Sequence, residues 1–139
     1  CVLGGVEIPH DRGLLGHSDA DVLTHALMDA ILGALGGRDI GTLFPDTDPA
    51  FKDADSIVLL EKVWAIAHQE GWKLVNADIS VLAEAPKLKP FIATMIERLS
   101  SALCCGASQL AIKATTTEGL GFVGRGEGIV ASAVVLLTR

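Results

Sequence analysis

In the stretch Lys113-Ala-Thr-Thr-Thr-Glu-Gly-Leu-Gly-Phe-Val-Gly-Arg-Gly-Glu-Gly128, a strand pattern gives way to hydroxyl side chains, one acid and a run of glycines. The alternation of Leu110, Ile112 and Ala114 predicts the strand that leads into it. The apolar segment 129–138 follows the glycines and predicts another strand. Because both faces of that strand are apolar, we expect it to be central in its sheet or at an interface.

The chemistry of this stretch indicates phosphate and metal handling. Hydroxyls and free backbone N–H groups at a strand end are suited to hold a phosphate. Glu118, next to Thr115, Thr116 and Thr117, can hold a cation, which is needed because a carboxylate and a phosphate repel each other. The run Gly119–Gly124 matches G-x-G-x-x-G, but a strand pattern follows it where a dinucleotide fold requires a helix, so we exclude that fold. The combination favours an enzyme acting on a metal-bound diphosphate or nucleotide.

Outward from this stretch, strand and helix patterns alternate along the chain. We predict a hairpin around Gly4-Gly5, helices over 23–34, 56–70 and 92–103, and a strand over 75–83. Ser18 is predicted to cap the first helix, with Asp21 completing an approximate capping box. This order indicates the α/β class (α+β with a mixed sheet), as a single domain over residues 1–139 with helices packed on the sheet.

Composition narrows the function further. The chain has 139 residues, of which 50% are hydrophobic, and a formal net charge of −6. That charge argues against general nucleic-acid binding, which needs a basic face, and no apolar run reaches the length of a membrane span. The surplus of apolar residues predicts a subunit interface. The few cysteines, including the adjacent Cys104 and Cys105, form no disulfide framework, so we expect buried thiols in the reducing cytoplasm.

Two polar segments have both a functional and a structural interpretation. Asp21, His25 and Asp29 are spaced four residues apart on one helical face, where an imidazole can bind a transition metal and a carboxylate can orient it. A solvated polar face explains the same pattern. In the long acidic loop 38–55, Asp39 and Asp46 are candidates for binding substrate hydroxyls or for capping turns.

Lys87 and Lys113 are the two candidate phosphate cations. Lys87 follows Pro86, and Lys113 lies at the end of the strand that leads into the threonines. A lone lysine is more often a surface charge, and that interpretation stays open for both residues.

Four motifs together resemble one family. The runs His17-Ser-Asp-Ala-Asp-Val22, Asp39-Ile-Gly-Thr-Leu-Phe-Pro-Asp-Thr-Asp-Pro49, Ala85-Pro-Lys-Leu88 and Lys113-Ala-Thr-Thr-Thr-Glu118 resemble, in order, the 2-C-methyl-D-erythritol 2,4-cyclodiphosphate synthases. The resemblance implies a homotrimer of α/β subunits with active sites between neighbours. It also implies cyclisation of 4-diphosphocytidyl-2-C-methyl-D-erythritol 2-phosphate with release of CMP, in the non-mevalonate isoprenoid pathway.

The resemblance also implies roles for single residues. It makes His25 a ligand of zinc or a similar divalent transition metal, and Glu118 a ligand of Mg²⁺ or Mn²⁺ between the α and β phosphates. It takes as the catalytic set His17, Ser18, Asp39, Asp46 and Thr116. Other implied substrate contacts are Phe44 and Pro45 in the methylerythritol loop, Ala83, Pro86, Lys87 and Leu88 in the cytosine pocket of the neighbouring subunit, and Ala114, Thr115, Thr116 and Thr117 at the nucleotide and phosphates.

Two further implications concern the trimer axis and the zinc site. Phe122, Arg125 and Glu127 fall where the family lines an axial cavity that holds isoprenoid diphosphates. An interface loop in which Arg125 pairs with Glu127 is the equal alternative. The family takes two more zinc ligands from an Asp-x-His pair upstream of the glycines that match Gly4-Gly5. We expect that pair and its strand to precede Cys1, and the alternative is a form that binds zinc poorly.

Three functions are therefore compared. The cyclase is the leading one. A non-catalytic trimer that binds isoprenoid diphosphates is the alternative, although it would not require Lys87, Thr116 or Glu118. A general nucleotide-diphosphate hydrolase is weaker, because the sequence offers no obvious general base for water.

Overall fold

The computed structural model describes residues 1–139 and confirms the predicted class. In chain order the elements are β1 (Val2–Leu3), β2 (Val6–Glu7), α1 (Val22–Ala34), α2 (Ile40–Leu43), α3 (Ser56–Gln69), β3 (Lys73–Leu82), α4 (Ile92–Ala102), β4 (Leu110–Thr115), α5 (Gly121–Gly124) and β5 (Val130–Thr138). Short 3-10 turns cover Pro49–Phe51, Lys89–Phe91 and Ala107–Gln109.

The main sheet has three strands in the order β4-β3-β5. β3 pairs in parallel with β4, with α4 as the crossover, and antiparallel with β5. The sheet is therefore mixed, as predicted. β1 and β2 form a separate antiparallel hairpin, also as predicted.

The helices cover one face of this sheet. Buried side chains alternate along β3 at Ala77, Ile79 and Val81, and they join a hydrophobic cluster of 24 buried residues with α1, α3 and α4. The opposite face is open, and on β5 it exposes Val134 and Leu136 by 71% and 56%. The expectation that β5 is central is therefore wrong, because β3 occupies the centre, and the interface alternative remains.

Two local predictions are also wrong. α1 is capped by Asp21, whose side chain accepts a hydrogen bond from Thr24 N, and not by Ser18. The thiol of Cys104 lies on an exposed residue, while Cys1 and Cys105 are half-buried. None of the helices combines the length and the apolar character that crossing a bilayer requires.

Candidate active site

A cavity of about 670 Å³ lies at the start of α1 and brings together part of the predicted site. Its lining includes five of the predicted residues, namely His17, Ser18, His25, Phe44 and Asp46. The segment after α5 closes another side with Glu127, Gly128 and Ile129. The cavity therefore combines apolar walls with imidazole, hydroxyl and carboxylate groups.

His25 is held at the floor of this cavity by two serines. Its Nε2 lies 3.0 Å from Ser56 Oγ and 3.2 Å from Ser18 Oγ. Ser56 in turn gives its N–H and its hydroxyl to the carboxylate of Asp19. Because the one hydroxyl hydrogen of Ser56 goes to Asp19, Ser56 Oγ accepts from His25, which places a hydrogen on Nε2.

Sequence reasoning missed Asp19 and Ser56 as site residues. Ser56 was recognised only as the start of a helix, and nothing in the spacing connects it with His25. The signal that was available is Asp19 itself, an acid inside the motif His17-Ser-Asp-Ala-Asp-Val22.

The residues of this chain do not complete a zinc site. A catalytic zinc typically has three protein ligands, and no group of three or more His, Cys, Asp or Glu side chains is arranged to hold a metal ion. His25 supplies one imidazole, and its neighbours are hydroxyls. Its role as a zinc ligand stays a prediction.

The prediction that Asp21 and Asp29 share a functional face with His25 is wrong. Asp21 is fully buried, and its carboxylate accepts from the N–H groups of Gly4 and Gly5 at 2.9 and 2.8 Å and from Thr24. Burial raises the pKa of Asp21, although these hydrogen bonds act in the opposite direction. Asp29 is exposed and accepts from Ile40 N at 2.9 Å. Both acids therefore organise the backbone.

The acidic loop packs against the segment that carries His17. His17 Nε2 lies 3.1 Å from the carbonyl oxygen of Asp48, and His17 O accepts from Asp53 N at 2.8 Å. Phe44 packs edge-on against Phe51 with ring centroids 5.2 Å apart. These contacts fix the loop at the rim of the cavity, with Pro45 half-buried beside Phe44.

The two carboxylates predicted in this loop have different surroundings. Asp39 caps α2, with one oxygen accepting from Thr42 N and Thr42 Oγ1 at 2.9 and 3.0 Å. Its other oxygen makes no hydrogen bond within the chain. Asp46 is exposed at the cavity wall and makes neither a hydrogen bond nor a salt bridge. One free oxygen on Asp39 and both on Asp46 are thus available to a ligand.

The remaining predicted residues collect at the ends of β3 and β4. The parallel register places Leu82 opposite Thr115, and Ala83 N donates to Thr115 O at 3.0 Å. This brings together the two predicted segments Ala83–Leu88 and Ala114–Glu118. None of these residues lines the cavity, so within one chain the predicted site is in two parts.

In the segment Ala83–Leu88, some side chains are buried and others are exposed. Ala83 and Leu88 are buried, at 8% and 3% exposure, and Pro86 is half-buried after a cis peptide bond. A base at this segment would therefore meet mainly backbone groups from the two buried residues. Lys87 is exposed and makes no salt bridge, whereas Lys113 pairs with Asp78 and so is not a free cation.

The turn after β4 does not have the free N–H groups expected for a phosphate, but it does present the unpaired carboxylate of Glu118. Its N–H groups are not free, because Thr117 N and Gly119 N donate to Glu84 Oε1 at 3.0 and 3.3 Å, and Glu118 N donates to Thr116 Oγ1 at 3.3 Å. The carboxylate of Glu118 is exposed and makes no hydrogen bond or salt bridge. Sequence reasoning missed Glu84, although the parallel pairing of its strand with β4 places it at this turn.

Arg125 and Phe122 lie in the glycine-rich segment beyond that turn. Arg125 forms a two-point ion pair with Glu127, with nitrogen–oxygen distances of 2.9 and 3.2 Å. The ion pair of the interface-loop alternative is therefore present, and diphosphate binding there stays a prediction. Phe122 is 49% exposed. α5 has four residues before β5, which confirms the exclusion of the dinucleotide fold.

With the geometry described, the chain can be placed among known proteins. The model of the YgbB family matches residues 1–138. The chain belongs to the YgbB family. A Geobacillus kaustophilus member named 2-C-methyl-D-erythritol 2,4-cyclodiphosphate synthase is 61% identical over 99% of this chain and 87% of its own length.

Solved structures similar to this YgbB-family chain have the same fold. The bifunctional IspDF from Campylobacter jejuni matches with a TM-score of 0.94 and 47% identity, over 99% of this chain and 37% of that longer protein. A CDP complex of IspF from Plasmodium falciparum matches with a TM-score of 0.87 and 36% identity, over 99% of this chain and 82% of that chain. The family resemblance read from the sequence is thereby confirmed.

Proposed function

We propose that this chain converts 4-diphosphocytidyl-2-C-methyl-D-erythritol 2-phosphate to 2-C-methyl-D-erythritol 2,4-cyclodiphosphate and CMP, a step of non-mevalonate isoprenoid biosynthesis. It is a phosphorus–oxygen lyase. The observation that carries the proposal is the 61% identity, over nearly the whole chain, to a relative bearing that synthase name. The three free cysteines of this chain support a reducing, cytoplasmic setting.

In this reaction one phosphorus–oxygen bond forms and another breaks. An oxygen of the 2-phosphate attacks the β-phosphorus, and the bond from that phosphorus to the oxygen bridging the α-phosphate breaks. CMP leaves with the electron pair. The protein does little covalent work in such a step, so catalysis is mainly positioning and charge neutralisation.

The cavity at α1 is the methylerythritol side of the proposed site. The free oxygens of Asp39 and Asp46 accept hydrogen bonds from the substrate hydroxyls, and Phe44 with Pro45 shapes the wall. His17 and Ser18 contact the phosphates or the erythritol portion. The supporting observation is that His17, Ser18, Phe44 and Asp46 line one cavity.

The strand ends are the cytidine and diphosphate side of the proposed site. Backbone groups of Ala83, Pro86 and Leu88 contact the base, Lys87 contributes a positive charge, and the segment Ala114–Thr117 contacts nucleotide and phosphates. A CDP complex is known for a relative with 36% identity, which supports a cytidine nucleotide as ligand.

Glu118 suits the proposed Mg²⁺ or Mn²⁺. Mg²⁺ is usually bound through one or two carboxylates, with substrate phosphates and water completing its shell. The unpaired, exposed carboxylate of Glu118 fits that requirement. A divalent ion bound there would neutralise the charge that develops on the diphosphate. For zinc, His25 contributes at most one ligand from this chain.

A homotrimer would complete the site. The methylerythritol and cytidine parts are separate within one chain, so a neighbour must bring one part to the other if both contact one substrate. The exposed apolar residues of β5 support burial between subunits. An axial cavity lined by Phe122 and Arg125, holding an isoprenoid diphosphate, belongs to the same proposal.

The two other functions are less well supported. A non-catalytic diphosphate-binding trimer leaves the free carboxylate of Glu118 without a use, and the curated relatives are named as synthases. A nucleotide-diphosphate hydrolase needs a general base to activate water, and the sequence offers no obvious one.

The test is incubation of the full-length protein with the cytidyl substrate, Zn²⁺ and Mg²⁺. We expect CMP and the cyclic diphosphate in equal amounts. A linear methylerythritol phosphate or inorganic phosphate would instead identify a hydrolase, and no turnover with tight isoprenoid-diphosphate binding would identify the non-catalytic trimer. Either result would overturn the proposal.

A further inference from the structure

Glu84 connects the end of β3 with the turn that follows β4. Its Oε1 accepts from Thr117 N at 3.0 Å and Gly119 N at 3.3 Å, while Thr117 Oγ1 lies 3.2 Å away. That hydroxyl has one hydrogen and is closer to Leu120 O, at 2.6 Å. The two backbone N–H groups are therefore the main donors to Glu84.

The residue enclosed by these two donors is Glu118. Its backbone has a φ of +55°, in the left-handed region that L-residues other than glycine rarely adopt. Such a conformation costs about 1 to 3 kcal/mol and persists only where neighbouring contacts impose it. The hydrogen bonds that Thr117 N and Gly119 N, on either side of Glu118, donate to Glu84 are contacts of that kind.

The position of Glu84 in the chain also matters. Glu84 lies inside the segment proposed for the cytosine base, between Ala83, whose N–H donates to Thr115 O, and Pro86. One side chain thus links the nucleotide segment to the turn that presents Glu118. No other carboxylate accepts hydrogen bonds from this turn.

We propose that Glu84 is a positioning residue that holds the turn Thr117–Gly119 so that the carboxylate of Glu118 faces the diphosphate and its divalent ion. Glu84 acts through hydrogen-bond acceptance and does not touch the substrate. The inference rests on the proposed function, because that function assigns the ion to Glu118.

The test compares Glu84→Ala with Glu84→Gln and with Glu61→Ala as the control. Glu61 is an exposed residue on α3, away from the turn. Three quantities are measured on the full chain: amide hydrogen exchange at Thr117 and Gly119, binding of Mn²⁺ in the presence of CDP, and the Mg²⁺ concentration that gives half-maximal turnover.

In Glu84→Ala, we expect exchange at both amides to be about tenfold faster and Mn²⁺ binding with CDP to be about tenfold weaker, because the turn loses its acceptor. Half-maximal turnover should need correspondingly more Mg²⁺. Glu84→Gln keeps an acceptor oxygen at the same reach and should stay within about threefold of the wild type. Glu61→Ala should change none of these quantities.

Two outcomes would overturn the inference. One is Glu84→Ala binding Mn²⁺ and CDP like the wild type, and the other is Glu84→Gln failing as badly as Glu84→Ala. If Glu84→Ala does not fold, Glu84→Asp, one methylene too short for the same bonds, takes its place with the same expectation. A wild-type chain that binds Mn²⁺ with CDP but forms no CMP would defeat the proposed function while leaving this positioning role intact.

Discussion

At the scale of single residues, Asp21 is a buried carboxylate that accepts four hydrogen bonds. It caps α1 and accepts the two N–H groups of the Gly4-Gly5 turn. Asp21→Ala leaves these donors without a partner, so we expect a loss of about 2 to 4 kcal/mol in the free energy of unfolding. Urea denaturation measures it, with the exposed Asp55, which also caps a helix, changed to alanine as the control.

Asp21 should also leave a signature in the pH dependence of stability. Its pKa is raised in the folded state, mainly by burial. The carboxylic acid is therefore favoured by folding, and the corresponding stability is present at low pH and is lost as the pH rises through the folded pKa. As the pH rises above about 4, the wild type should lose stability relative to Asp21→Asn, which does not titrate. Parallel pH profiles for the two proteins would contradict this assignment.

The role of Glu118 predicts a selective loss of metal response. Glu118→Gln keeps the size of the side chain but removes the charge from an exposed residue, so folding should be unaffected. Turnover at limiting Mg²⁺ should fall at least about tenfold, because a charged oxygen ligand is lost. The measurement is rate against Mg²⁺ concentration, with Glu61→Gln as the matched control. Unchanged activity at limiting Mg²⁺ would refute the assignment.

The role of His25 predicts a loss of metal retention. His25→Ala removes the one imidazole at the cavity floor and should abolish zinc retention, which elemental analysis of purified protein measures. His68, near the end of α3, supplies the control as His68→Ala. A variant of His25 that still retains stoichiometric zinc would show that the metal has other ligands.

At the scale of elements, close backbone contact requires glycine at Gly124, the last residue of α5. A Cβ on Gly124 would lie 2.1 Å from the carbonyl carbon of Gly119, a backbone atom that cannot turn aside. Gly124→Ala should therefore displace the turn that carries Glu118 and raise the Mg²⁺ requirement of turnover. Gly13→Ala is the control, because a Cβ there meets no atom within 4 Å. Crystallography of both variants would locate the displacement, and an unmoved turn would count against the idea.

At Gly33, in contrast, an alanine should be favourable. It lies on the exposed side of α1, and a Cβ there would contact nothing within 4 Å. Gly33→Ala should therefore stabilise the protein by up to about 1 kcal/mol, since glycine has a low helix propensity. Thermal unfolding is the measurement, and destabilisation would reveal a contact on that face.

Sequence patterns predicted the long elements and the β1–β2 hairpin, but not the four-residue helices α2 and α5. Residues 23–34, 56–70 and 110–114 have apolar periodicity strong enough to give α1, α3 and β4 to within a few residues. α2 and α5 have four residues each and no periodicity of their own. Ser18 and Asp21 are both of a capping residue type, and the cap of α1 is Asp21, which also accepts the N–H groups of the β1–β2 turn.

The candidate site was predictable as a set of residues and not as an arrangement. Motifs indicated His25 and Glu118 as candidates, whereas Asp19, Ser56 and Glu84 make contacts 31 to 37 residues away along the chain, which no local pattern encodes. The separation of the two halves of the site also follows only from the fold.

At the scale of the whole molecule, the open face of the sheet predicts the state of association. We expect a trimer in solution, three times the 14.5 kDa of one chain, by analytical ultracentrifugation. Leu136→Asp places a charge on the exposed side of β5 and should weaken association and turnover together, if the site needs two subunits. Val58→Asp, on the exposed side of α3 at 46% exposure, is the control. A monomeric but fully active chain would exclude the shared site.

The strand order β4-β3-β5 also makes β4 and β5 the two edge strands of the sheet, and the two differ in charge. The edge strand β4 carries Lys113, which pairs with Asp78 of the central strand, and a charged residue on an edge strand discourages a foreign strand from docking. β5 carries no charge from Val130 to Thr138. Misassembly on partial unfolding should therefore start from the β5 border, and the carboxyl-terminal strand is where a gatekeeping charge would improve the solubility of this protein during expression.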